Sequence, residues 1–194
     1  MGIGKIELEV AKKVADRVVR HVAPSMSRVE VAGSIRRCKP VVGDVEIVGI
    51  PCDRAKMLKL LSDVGQTIKP GVPGVVPWQP KLDAKYVRVR LDEGMNLDVF
   101  IARPENWGGL FLMRTGSASG HDGNAFSGFV PAVFHKWKVV SKGGRMTNAM
   151  PTTPSGDQII LPEEQDFFDL LGMDFVPPHE RVDSKAVKRY SRKA

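Results

Sequence analysis

Hydrophobic positions along the chain change their period several times, and each change marks an element. Between residues 5 and 22, Ile6, Val10, Val14 and Val18 recur at every fourth position, flanked by Ala11, Ala15, Val19 and Val22. That spacing predicts an amphipathic helix. Glu9–Lys13 and Asp16–Arg20 add favourable pairs on its wet side, and Pro24 stops it. Residues 28 to 32 (RVEVA) and 42 to 50 (VGDVEIVGI) alternate as strands do. Asp53 as N-cap and Gly65 as C-cap bound a second helix carrying Met57, Leu58 and Leu61. The stretch KPGVPGVVPWQP, 69 to 80, is broken by Pro and Gly and reads as a loop or irregular edge. KYVRVRL (85 to 91), the turn DEG and NLDVFIA (96 to 102) then form a hairpin.

After RPENWGGLFLMRTGS the texture shifts to Gly, Ser and polar residues over 115 to 128. The shift divides the chain into residues 1–109, residues 110–181 and a loose basic tail, 182–194. The second part is expected to hold a helix over about 125 to 137 and short strands near 138 to 148 and 157 to 161. A further helix runs from Pro162, a favoured first-turn residue, to Gly172. The fold class is α+β: a mixed, antiparallel-rich sheet first, then a small C-terminal α+β subdomain.

With 194 residues, 42% of them hydrophobic, the chain can bury the core of one domain or of two small ones. No apolar run reaches the roughly 18 residues a membrane span needs, and Met1 opens no signal-peptide pattern. A soluble, intracellular protein is expected, free of the membrane. The formal charge of +7 favours a polyanionic partner. Cys38 and Cys52 read as reduced thiols, and the four scattered histidines have no zinc-ligand spacing. Trp107 and Trp137 read as packing residues; Trp78, in the broken loop, reads as packing or as a surface for stacking on a base.

Candidate chemistry begins with the acids. Side chains at i and i+2 of a strand share a face, so Asp44 and Glu46 point together while Val45 and Ile47 face a core. In the hairpin, Leu97, Val99 and Ile101 turn Asp98 the opposite way. If these strands pair, all three acids meet on one side, with strands about 4.8 Å apart and side chains about 6.6 Å apart along each. Such a set can hold two divalent ions about 3.5–4 Å apart, as in-line displacement at phosphorus uses them. On the strands alone, three acids on the wet face of a half-buried sheet is an equal reading.

The preceding segment GSIRRCKP shifts the balance. It offers a Gly whose backbone can approach a phosphate, a Ser hydroxyl, and arginines able to fork onto phosphate oxygens. A basic loop feeding an acidic strand suits a nucleoside triphosphate with its metal.

These blocks resemble the nucleotidyltransferase superfamily of DNA polymerase beta, and within it the family X DNA polymerases. AGSIRRCKPVVGDVEIV is similar to the family's Gly-Ser and Gly-Asp-x-Asp block. NLDVFIARPENWGGLFLMRTGS resembles its third-carboxylate strand and Thr-Gly-Ser segment. LPEEQDFFDLLGMDFVPPHER resembles its closing Glu-rich helix and Pro-Pro-x-x-Arg stretch. The resemblance spans residues 5 to 181 and implies a nucleotidyltransferase palm followed by a nucleotide- and DNA-binding subdomain. It implies Asp44, Glu46 and Asp98 as catalytic residues and ligands of two Mg²⁺ ions, which Mn²⁺ can replace. Gly33, Ser34, Arg37 and Gly43 would hold the β- and γ-phosphates, with Arg36 adjacent. Thr115, Gly116 and Ser117 would lie beside the sugar, and Asn124 would reach the nascent base pair.

The chain departs from the family pattern in three places. Glu46 stands where cellular members usually have Asp. Met113 and Arg114 replace aromatic residues that help exclude a ribose 2′-hydroxyl. ASGHDGNAF keeps Asn124 but has no arginine one turn later. The helix of the palm begins near residue 5, so no preceding lyase domain and no lyase activity are expected, as in the smallest family members, viral ones included.

The tail carries Arg181, Lys185, Lys188, Arg189, Arg192 and Lys193 against Asp183. With Lys136 and Lys138 in HKWKVVSKGGR, these are candidate contacts to DNA phosphates, and a solvated tail is the competing reading. The expected function is metal-dependent transfer of a nucleotide from a dNTP to a DNA primer 3′-hydroxyl by a compact, gap-filling, monomeric DNA polymerase. Untemplated addition to DNA or RNA ends is the alternative, and a non-catalytic DNA-binding module the more distant one.

Overall fold

A computed structural model describes residues 5–120 and 123–193. The chain is α+β and separates into two compact units, Met1–Ala102 and Arg103–Ala194.

In the first unit, β1 (Ile6–Glu7) leads into α1 (Leu8–Val22). The helix starts later than its periodicity predicts, because Ile6 and Glu7 pair antiparallel with Val42 and Val41. Its buried stripe is Ala11, Val14, Ala15, Val18 and Val22, and Val10 is exposed. One 3₁₀ turn, Ala23–Ser25, with Pro24 inside it, passes the chain to β2 (Met26–Val31). A single helical turn, α2 (Gly33–Arg36), precedes β3 (Val41–Val42) and β4 (Asp44–Pro51). α3 (Arg54–Asp63) follows, its N-cap Asp53 accepting from the Lys56 amide at 2.9 Å.

Gly65 does not cap that helix as expected. It opens an unforeseen edge strand, β5 (Gly65–Ile68). A Cβ at Gly65 would stand 2.2 Å from the Arg90 carbonyl, so close strand approach explains the glycine. The broken stretch after it runs back along that edge, with Trp78 N–H donating to Thr67. β6 (Tyr86–Leu91) and β7 (Asn96–Ile101) form the expected hairpin. The five-stranded order is β2-β4-β7-β6-β5, antiparallel except between β4 and β7. Val45, Ile47, Val87, Val89, Leu97 and Val99 are buried in one core with α1, Met57 and Leu61.

The second unit begins at Arg103, ahead of the boundary read from composition, because α4 (Trp107–Thr115) packs against α6 (Glu164–Leu170) and β9 (Met150–Thr152). No polar face marks α4 in the sequence: Trp107, Gly108, Gly109, Leu110, Phe111 and Leu112 are all buried. Its glycines admit neighbouring backbone. A Cβ at Gly108 would lie 2.0 Å from the Glu163 carbonyl, and one at Gly109 2.0 Å from that of Ala149.

α5 (Phe129–Val140) extends past its expected end. The strand foreseen near 138 to 148 shortens to β8 (Arg145–Thr147), paired with β9. Residues 157 to 161 contribute one bridge, Thr152–Gln158, rather than a strand. The segment expected as a loose tail carries a further helix, α7 (Ser184–Arg189), capped by Asp183. Ala186 and Val187 are buried with Phe129, Val133 and Trp137, and Arg192 binds Asp174 and Asp169 at 2.9 and 2.8 Å. Two buried apolar side chains and a double ion pair outweigh the local polarity that reads as disorder.

Candidate functional site

The β4–β7 register sets Glu46 directly beside Asp98, and Asp44 beside Asn96. Their side chains occupy the face opposite the core, so the three acids share one side of the sheet. β6 adds two residues that the sequence reading missed. Arg88 is the register partner of Asp98 and donates from Nε to Oδ1 and from Nη2 to Oδ2, both at 2.6 Å. Tyr86 donates its phenolic hydrogen to Oδ1 at 2.7 Å and stacks on Phe100 with ring centroids 5.0 Å apart. The signal was present: once the hairpin register is drawn, alternation in KYVRVRL puts Tyr86, Arg88 and Arg90 on the face of Asp98.

These neighbours change the electrostatics inferred from the acids alone. Asp98 is 4% exposed, and Arg88 supplies its counter-charge. Burial, then the charge of Asp98, pushes the Asp44 carboxyl above its ordinary value, against the pull of Arg88 and Arg37. The Tyr86 phenol is pushed up by burial and by its bond to Asp98. Hydrogen bonding to Asp98 raises Arg88 despite desolvation.

The loop before β4 folds onto these acids. Ala32 N–H donates to the Glu46 carbonyl at 2.8 Å. Gly33 then adopts φ +63°, and a Cβ there would stand 1.9 Å from Glu46 Oε2. Only glycine satisfies both the backbone and the contact. The turn of α2 is closed by Arg37 N–H to Gly33 and Lys39 N–H to Ser34, at 3.1 and 3.0 Å. Burial lowers the Arg37 pKa, while Glu46 and then Asp44 oppose that fall. Gly43 faces open space, where a Cβ would meet nothing within 4 Å. Gly33, Ser34, Arg37, Gly43, Asp44, Glu46 and Asp98 thus belong to one region of the first unit.

The remaining candidates lie in the second unit. Thr115 and Ser117 are buried. The Ser117 hydroxyl sits between the carbonyls of Ser119 and Val182, and its N–H donates to Arg181 at 2.9 Å. A Cβ on Gly116 would meet the Phe129 and Val130 side chains at 2.6 and 2.7 Å. Asn124 caps the 3₁₀ turn Ala125–Ser127, its side-chain oxygen accepting from Phe126 N–H at 2.9 Å. His121 and Asp122 of ASGHDGNAF lie outside the described residues.

Arg181 requires a correction as a DNA contact. It is fully buried, paired with Glu164, donates to the Val176 carbonyl at 2.8 Å, and lies 5.1 Å from the ring centroids of Phe168 and Phe175. Arg189 is exposed but paired with Glu180. Lys136 donates to Ser191 Oγ at 2.9 Å, and Lys138, Lys185 and Lys188 are exposed.

Carboxylate oxygens on one sheet face are the donors Mg²⁺ prefers, so Asp44, Glu46 and Asp98 fit that ion in chemistry and register. They are not drawn into a common cage: among the described residues no three His, Cys, Asp or Glu side chains form a metal-holding group. Glu46 lies against Gly33, and Asp98 is held by Arg88 and Tyr86. Among the described residues no helix is long and apolar enough to cross a membrane. Compared with models of known protein families and with curated proteins, the chain has no match.

Proposed function

We propose that this protein transfers a nucleotidyl group from a dNTP to the 3′-hydroxyl of a DNA primer, releasing pyrophosphate, as its resemblance to the compact family X DNA polymerases implies. The observation that carries the reading is the Glu46–Asp98 register pair, with Asp44 one pleat away and the Gly33–Arg37 loop folded onto Glu46. Asp44, Glu46 and Asp98 would hold Mg²⁺. When bound, the metal supplies positive charge to the phosphate oxygens and the attacking hydroxyl. Arg37 and Ser34 bind and orient the triphosphate, with the open backbone at Gly43 beside them. Asp98, fixed in rotamer by Arg88 and Tyr86, orients the primer end. Positioning of this kind carries much of the rate in phosphoryl chemistry.

A second reading, untemplated addition to nucleic-acid ends, draws on Asn124. Its side-chain oxygen is engaged in capping, which weakens the contact through which a template would be read.

The test is extension of a labelled primer with Mg²⁺ or Mn²⁺ on single-stranded, recessed and gapped substrates, each dNTP and rNTP supplied alone, beside Asp98→Asn. Insertion of the complementary nucleotide only, lost in the variant, supports templated transfer. Tailing that ignores the template supports the second reading. Equal inertness of both proteins on every substrate overturns both.

A further inference from the structure

The second unit carries an apolar groove between α5 and α7, with a cavity of about 620 Å³. Phe126, Ala132, Val139 and Val187 line it, and His135, Lys136 and Lys188 stand among them. Among the described residues no carboxylate does. Phe126 is 89% exposed, Val139 62% and Val140 48%, so three large apolar side chains face solvent in one place. Exposed apolar side chains gathered beside polar ones are a feature of interaction surfaces. Part of the groove is made by α7, the helix the sequence did not foresee. Two buried residues dock it: Ala186 and Val187 belong to the core that holds Phe129 and Val133.

We infer that this groove binds single-stranded nucleic acid, with a base stacked on Phe126 and flanking phosphates on Lys188 and its cationic neighbours. An isolated, solvent-facing aromatic ring beside lysines is the element from which sequence-tolerant single-strand sites are built. A duplex hides its base faces inside the stack, so it could use the lysines and not the ring. Among the described residues the groove's charged lining is positive, with Lys136 and Lys188, and the whole chain is +7, which complements a polyanion. Asn124 holds the start of the turn bearing Phe126, accepting from the Phe126 amide, so the ring is presented from an ordered turn. Lys136 is tied to Ser191, while among the described residues Lys188 and His135 meet no carboxylate. The choice of nucleic acid over a protein segment rests on the transfer reading above.

The experiment is fluorescence anisotropy of a fluorescein-labelled oligo-dT with the full chain, in EDTA and without nucleotide. Wild type, Phe126→Ala, Phe126→Trp and Lys188→Ala are compared across a salt series, with urea midpoints to establish folding. Phe126→Ala is expected to weaken binding by about tenfold or more, the usual cost of losing a stacking ring. Phe126→Trp should restore it. Lys188→Ala should lower the salt slope by roughly 0.7, as for one phosphate contact on a single strand, and Phe126→Ala should leave the slope alone.

Binding of oligo-dT that ignores Phe126 overturns the inference. So does tighter binding, through Phe126, of a labelled Glu/Leu amphipathic peptide, because the groove then serves a protein segment. Self-association of wild type that Phe126→Ala abolishes also overturns it, because a second copy is then the occupant. If primer extension fails while Phe126-dependent binding persists, the transfer reading falls alone. If extension succeeds and binding ignores Phe126, the groove inference falls alone.

Discussion

Arg88 grips Asp98 across the β6–β7 register with two hydrogen bonds of 2.6 Å, and Tyr86 closes the same carboxylate from the side. Arg88 thereby offsets part of the repulsion that Asp98 exerts on Asp44. The forked geometry is the strong form of a charge-assisted pair.

Arg88 competes with any cation for Asp98. Replacing it by methionine should therefore tighten Mn²⁺ binding by roughly tenfold, within the range a neighbouring unit charge exerts on a carboxylate. Electron paramagnetic resonance of free Mn²⁺ measures this without turnover. The same substitution should cost about 2 kcal/mol of stability through the lost charged hydrogen bonds. Unchanged Mn²⁺ affinity would mean that the guanidinium does not guard Asp98.

Asp44 is raised by burial and by Asp98. The contribution of a group raised on folding is complete below its unfolded value, near 3.9. That contribution is lost as pH rises through the folded value, and the charge costs stability above it. At neutral pH, Asp44→Asn should raise the urea midpoint measured in EDTA, and with Mg²⁺ present it should abolish primer extension. A lower midpoint would mean that the acid is stabilising where it stands.

Both tyrosines are raised on folding. For Tyr86 the first cause is burial, and for Tyr190 the bond to Glu180. Both phenols should ionise above their ordinary value near pH 10. The native state keeps these protons longer than the unfolded chain, so their contribution is intact below about pH 10 and is lost as pH rises through the folded values. Phenolate absorbance of native and urea-unfolded protein should show titration displaced upward in the native state. Coincident curves would remove the hydrogen-bonded phenols from the account.

Gly33→Ala places a methyl group 1.9 Å from Glu46 Oε2 and a side chain at φ +63°. The left-handed backbone alone costs about 1–2 kcal/mol. Glu46 must also leave its position, so primer extension should fall more than stability does. At Gly43, where a Cβ meets nothing, alanine should change stability by under about 0.5 kcal/mol.

Arg181 is a structural cation. Arg181→Met strands the buried Glu164 and should cost about 3–5 kcal/mol, read from urea unfolding. The double variant Arg181→Met, Glu164→Leu should recover most of that loss. A single variant that unfolds like wild type and merely weakens DNA binding would return Arg181 to the phosphate contacts.

Much of this protein was legible before its fold was known. Alternation in VGDVEIVGI and NLDVFIA is a backbone property, so it assigned Asp44, Glu46 and Asp98 to one face and Val45, Ile47, Leu97 and Val99 to the other, as observed. Asp53 as N-cap and Gly172 as helix end are local chemistry and were likewise readable. Other features depended on distant partners. Gly65 and the α4 glycines are explained by backbone groups far away in the chain, which no local pattern reports. Arg181 looks like a surface cation until Glu164, seventeen residues earlier, buries it. Arg88 became part of the site only when the register of β6 against β7 set it opposite Asp98. Periodicity thus determined which faces the side chains share. Tertiary packing decided which charges meet, because the free energy of a buried ion depends on the partner that packing brings to it.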